Sequence, residues 1–100
     1  MKSLRDPKRK PTHPGELLHE DVLPALKMSQ SELARRLGVS RLSVSELLLE
    51  KRAMSPDMAV RIGRLTQTTP DSWLHMQTAI DLWELERDPR RYRHIEPVAA

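Results

Sequence analysis

The stretch QSELARRLGVSRLSVSEL, Gln30 to Leu47, decides the fold. Ser29 followed three residues later by Glu32 makes a capping-box pattern. Leu33, Ala34 and Leu37 then mark one face of a short helix, Gln30 to Leu37, which Gly38 can close by taking the left-handed conformation. Only Gly38, Val39 and Ser40 separate this helix from the next. Ser40 can cap that second helix, which runs from Arg41 to about Leu49 with Val44, Leu47 and Leu48 on one face. Helices joined by so short a turn cross at a large angle. Ala34 is small at the crossing, and Val39, Val44 and Leu47 fill the wedge. The pattern meets the physical requirements of a helix-turn-helix, here about residues 30–49.

Working outward, Pro14 suits a helix first turn, and Leu17, Leu18, Asp21 and Val22 follow with helical spacing. Pro24 lacks a backbone donor, so this helix is expected to bend or end near Leu23, with a further turn through Ala25 and Leu26. Downstream, Ser55-Pro56-Asp57 and Thr69-Pro70-Asp71 share one start chemistry: a hydroxyl cap, a proline and an acid in the first turn. The fourth helix is expected to bury Ala59, Ile62 and Leu65. The fifth, about Pro70 to Glu86, carries the stripe Trp73, Met76, Ile80 and Trp83 until Asp88-Pro89 stops it. The expected architecture is all-α, with five helices in one domain over residues 12–87. The charged opening MKSLRDPKRKP, residues 1–11, has no apolar period and reads as a basic arm that is disordered when alone. Residues 88–100 form a tail with a strand-like centre at Tyr92 to Ile95.

With 100 residues and 38% hydrophobic content, the chain has material for one modest core. There is no cysteine, which removes disulfides and thiolate metal sites. No apolar stretch approaches the roughly 20 residues that span a bilayer, and no signal-peptide pattern follows the basic start, so a cytoplasmic protein is expected. His13, His19, His75 and His94 are scattered without metal-ligand spacing. Ser40, Ser43 and Ser45 lack a glycine-rich elbow and a nearby histidine. Enzyme chemistry, metal and cofactor therefore have no support. The formal charge of +3 is uneven: residues 1–13 hold five Lys/Arg against Asp6, and residues 14–55 balance at six and six. Residues 56–86 hold two bases against five acids, and residues 87–100 four against two. A polyanion would thus meet local basic surfaces.

The face of the second motif helix opposite Val44 and Leu47 consists of Leu42, Ser45, Glu46 and Leu49, with Arg41 at its start. This face has no partner inside the domain. Thymine methyls in a major groove would cover the leucines, while Arg41 can read guanine and Glu46 can accept from cytosine. For Leu49 or Leu42 the loop before the fourth helix is the alternative cover. Gln30, Ser40, Ser43, Lys51 and Arg52 are placed to grip phosphates. The fifth helix carries more apolar residues than its own core uses. Leu74, Leu82 and Leu85, with Tyr92 and Ile95, are therefore assigned to a two-fold homodimer, and Trp83 serves either that contact or the core.

Gln30 to Leu47 resembles the helix-turn-helix of lambda-repressor-like, or XRE-type, proteins. HPGELLHEDVLPAL before it, KRAMSPDMAVRIGRL after it and TTPDSWLHMQTAIDLWELE extend the likeness. Over about residues 12–86 the chain is similar to the HigA antitoxins, also called virulence-associated or plasmid-maintenance antidote proteins. Pro14-Gly15-Glu16, Ser55 to Ala59, Trp73-Leu74 and Asp81-Leu82-Trp83 are its most specific elements. Leu49-Glu50 depart from it, standing where the family has asparagine-glycine; lacking that glycine, the helix is expected to run up to one turn longer. The resemblance implies a repressor that binds double-stranded operator DNA of its own operon and neutralises a HigB-type ribonuclease toxin. Two rival readings are a repressor of the same fold without a toxin, and an adaptor whose helix-turn-helix no longer touches DNA.

Overall fold

His13 opens the first helix: its buried ring accepts the Gly15 N–H through Nδ1 at 2.9 Å, and Pro14 follows in the first turn. In this computed structural model, which describes residues 9–99, the helix does not stop before Pro24. It runs through Pro14–Leu17, a π-helical turn Leu18–Val22 and Leu23–Leu26, together α1. A proline inside a helix forfeits one bond and needs room for its ring. The π turn, in which Leu23 N–H reaches the Leu18 carbonyl, is where α1 makes that adjustment. Residues 1–8 of the expected arm lie outside the described residues.

The motif helices are α2 (Gln30–Leu37) and α3 (Arg41–Leu48), followed by α4 (Pro56–Thr66) and α5 (Pro70–Glu86). Every hydroxyl cap forms: Ser29 accepts from Glu32 N–H, Ser40 from Ser43, Ser55 from Met58 and Thr69 from Ser72, at 3.0–3.3 Å. Glu32 turns away from its capping box to meet Arg35 at 3.3 Å and Arg36 at 3.1 Å. Gly38 takes φ 70 and ends α2. The tight turn is then clamped from outside, because Arg61 of α4 donates Nη1 to the Leu37 carbonyl at 2.8 Å while its Nε holds Asp57 at 2.8 Å.

The core gathers Leu18 of α1, Leu33, Ala34 and Leu37 of α2, Val44 and Leu47 of α3, Ala59 and Ile62 of α4, and Trp73 of α5. On α4, Met58 and Gly63 are buried with Ala59 and Ile62, and Leu65 is only half-buried. On α5 the inward stripe is Trp73, Gln77 and Ile80, whereas the expected Met76 and Trp83 are half-buried. Gln77 earns its place by bonding: Oε1 accepts the N–H of buried Met54 at 2.7 Å, and Nε2 donates to Asp81 at 2.9 Å. The loop after α3 thereby hangs on α5, and the buried amide has no unpaired atom.

Two expectations are corrected at helix ends. Without glycine α3 does not lengthen; it ends at Leu48, and Glu50 itself adopts φ 61, with Lys51 N–H returning to the Glu46 carbonyl at 2.8 Å. The loop must turn here to bring Met54 under α5. Glu50→Gly should therefore relieve left-handed strain and raise stability by about 0.5–1 kcal/mol, read as a higher melting temperature. The strand expected at Tyr92 to Ile95 is absent: Asp88 caps a 3-10 turn, Pro89–Arg91, and Ile95 N–H bonds the Tyr92 carbonyl at 3.0 Å. That local bond coils the segment, so no strand occurs among the described residues.

Candidate nucleic-acid interface

Because α1, α2 and the loop to α4 cover the Val44, Leu47 and Leu48 side of α3, its opposite side is left to solvent. Leu42 is 66% exposed and Leu49 62%; the loop before α4 covers neither. Arg41 is exposed at the start of the helix, and Ser45 and Glu46 are half-buried between the two leucines. An exposed apolar pair interleaved with a guanidinium and short polar groups offers methyl contact and hydrogen bonding on one ridge. Gln30 is exposed at the start of α2, and Lys51 is exposed just past α3.

Four of the expected contact residues are joined to one another. Ser40 Oγ and Ser43 Oγ lie 2.8 Å apart. Arg52 reaches back from the loop, donating Nη1 to Ser43 Oγ at 3.1 Å and Nη2 to Glu46 Oε1 at 2.9 Å. A search for helical pairs could not have found Glu46 with Arg52, since they stand six apart across the left-handed turn at Glu50. Also missed were His13 as a cap and Gln77 as the anchor of the loop that carries Lys51 and Arg52. Their only sequence signals were a polar residue beside Pro14 and a glutamine within an apolar stripe.

The residues assigned to self-association divide. Leu82 (46%) and Leu85 (37%) are exposed on α5, and Tyr92 and Ile95 are exposed beyond it. Leu74 is half-buried against the core. Trp83 is half-buried, with the Arg87 guanidinium 4.3 Å from its ring centroid in a cation–π contact. Among the described residues no cluster of His, Cys, Asp or Glu could hold a metal ion, and no helix is long and apolar enough to cross a membrane.

The helix-turn-helix family profile matches residues 21–73. The chain is 41% identical over 92 residues to the uncharacterised HTH-type transcriptional regulator YbaQ of Escherichia coli, covering 92% of this chain and 81% of that one. It is 32% identical over 81 residues to antitoxin HigA-1 of Vibrio cholerae, covering 81% and 76%. The fold superposes with a TM-score of 0.81 on the Pseudomonas aeruginosa antitoxin HigA solved with the higBA promoter, at 34% identity over 90% of this chain and 100% of that one. The turn at Gly38, the capped α3 with its open ridge and these likenesses together assign the chain to the helix-turn-helix family, as a member of its HigA group.

Proposed function

We propose that the chain is a homodimeric repressor that binds the operator of its own operon and neutralises a small HigB-type ribonuclease toxin in the cytoplasm. The observation that carries the DNA half is the ridge of α3, where Leu42 and Leu49 stay in water beside Arg41. In this reading Arg41, Leu42, Ser45 and Leu49 meet base edges, while Gln30, Ser40, Ser43, Lys51 and Arg52 hold phosphates. The HigA relative solved with promoter DNA supports it. Arg41→Ala should cost about 1–3 kcal/mol at the operator and relax preference at one base pair, and Lys51→Ala should weaken binding evenly and lower the salt slope by about one. Gel shifts with single-base operator variants check both, and unchanged base preference in Arg41→Ala would remove it as a reader. Binding that ignores salt would favour the adaptor reading instead.

The toxin half rests on the likeness to HigA-1 and on the exposed acids Glu16 and Glu20 of α1, which suit an RNA-cleaving partner with a basic surface. Where a small basic ribonuclease is encoded beside this gene, co-expression should rescue growth from it, and the pair should co-elute in gel filtration. The second reading, a repressor without a toxin, is favoured by relatives such as YbaQ that are named only as transcriptional regulators. A ribonuclease that stays lethal and unbound decides for it.

A further inference from the structure

Glu46 lies on the ridge of α3, where a carboxylate would serve as an acceptor for a cytosine amino group. Its Oε1, however, is already held by Arg52 at 2.9 Å. The same guanidinium spends a second donor on Ser43 Oγ at 3.1 Å, and Ser43 in turn contacts Ser40 Oγ at 2.8 Å. Ser43 and Glu46 are three residues apart and so share a helical face, and Arg52 bridges them like a staple. We propose that Ser40, Ser43, Glu46 and Arg52 form one preorganised phosphate clamp, in which Glu46 is a positioning residue and reads no base.

The hydrogen-bond inventory favours this. Arg52 has five N–H donors and uses one toward each partner, so three remain for an anion. Ser40 Oγ already accepts the Ser43 N–H at 3.0 Å. Whichever of the two serine hydroxyls donates to the other, one hydroxyl proton is left over. What the cluster offers outward is thus dominated by donors around a fixed guanidinium, complementary to phosphate oxygens. The single internal acid commits its Oε1 to orienting that guanidinium. Arg52 is 44% exposed and Glu46 33%, so the pair adds little to folding stability, and its consequence is a long side chain held in one pose before DNA arrives. By this assignment, base choice falls to Arg41, Leu42, Ser45 and Leu49.

The inference rests on the operator-binding reading and is tested separately from it. If the native chain shows no operator binding at all, that reading fails. The clamp is judged on variants of a native chain that binds. Glu46→Asp keeps the charge and withdraws the oxygen by one methylene. It should weaken binding about three- to tenfold, the value of ordering one such side chain, and to the same degree on every single-base operator variant. Ser43→Ala, which leaves the carboxylate in place, should act in the same direction. In an Arg52→Ala background, Glu46→Asp should have no further effect, and Arg52→Ala alone should lower the salt slope by about one. Circular dichroism of each variant confirms that α3 is intact, and Ser43→Ala keeps the test open should Glu46→Asp not fold. A changed preference at one base pair in Glu46→Asp, or effects of Glu46 and Arg52 that multiply independently, would overturn the clamp.

Discussion

Gly15→Ala is expected to cost the domain a large share of its stability, about 3 kcal/mol. A Cβ at this position runs into the carbonyl oxygen of Leu47, a backbone atom at the end of α3, with the Leu47 carbonyl carbon 2.9 Å away and His13 Nδ1 3.2 Å away. None of these is the far end of a flexible side chain, so relief requires α1 and α3 to move apart. Leu18 on α1 and Val44 and Leu47 on α3 are packed across that crossing and would lose contact together. The His13 cap lies in the same crowded place, so its bond to Gly15 would be disturbed too. Overpacking that cannot be absorbed by side chains costs about 3 kcal/mol. A chain of this size has roughly 5–15 kcal/mol in total, and the loss corresponds to a fall in melting temperature of roughly 12–24 °C. Gly38→Ala is the control: it meets strain at φ 70 but only an arginine side chain nearby, so it should cost about 1–2 kcal/mol. Thermal melts of the two variants separate the cases. A Gly15→Ala protein melting within a few degrees of the native one would show that the two helices part without cost.

That crossing marks the boundary of what the sequence makes legible. The caps at Ser29, Ser40, Ser55 and Thr69 are set by bonds spanning three residues, and the left-handed end at Gly38 needs no distant partner, so helix starts and the turn could be read directly. The open face of α3 followed from helical period alone. The π turn ahead of Pro24 and the left-handed Glu50 could not be read the same way, because each is a compromise between local preference and where the chain must go next. Gln77 shows the same limit at longer range: its bond to Met54 spans 23 residues, and nothing local distinguishes a buried glutamine from an exposed one. In the candidate site, residue types were legible one by one. Their wiring was not, since the Arg52 bridge depends on a turn whose geometry the residues on either side do not announce.

Leu82→Lys combined with Leu85→Lys is expected to yield a folded monomer that binds operator about a hundredfold or more weakly, because the second half-site is no longer tethered to the first. The core uses Trp73, Gln77 and Ile80 of α5, so neither leucine supports the fold of one subunit, and helicity should stay near native. Burying a leucine is worth about 1.5–3 kcal/mol, and a two-fold contact buries each position twice. Tyr92, Ile95 and Val98 in the segment after α5 are exposed as well, which gives the contact more apolar material than two leucines supply. Charge favours the same place: Asp81, Glu84 and Glu86 close α5, and Arg87, Arg90, Arg91 and Arg93 follow, so an antiparallel contact sets acids of one subunit against bases of the other. Since Tyr92 to Ile95 is coiled rather than extended, a two-fold contact here would be made by side chains on α5 and the turns beyond it. A dimer of this kind presents two copies of α3 to DNA about one helical turn apart, roughly 34 Å. Sedimentation measures the first half of the expectation and gel shifts the second. A double variant that still sediments as a dimer puts the interface elsewhere, and a monomer with native affinity removes the need for two half-sites.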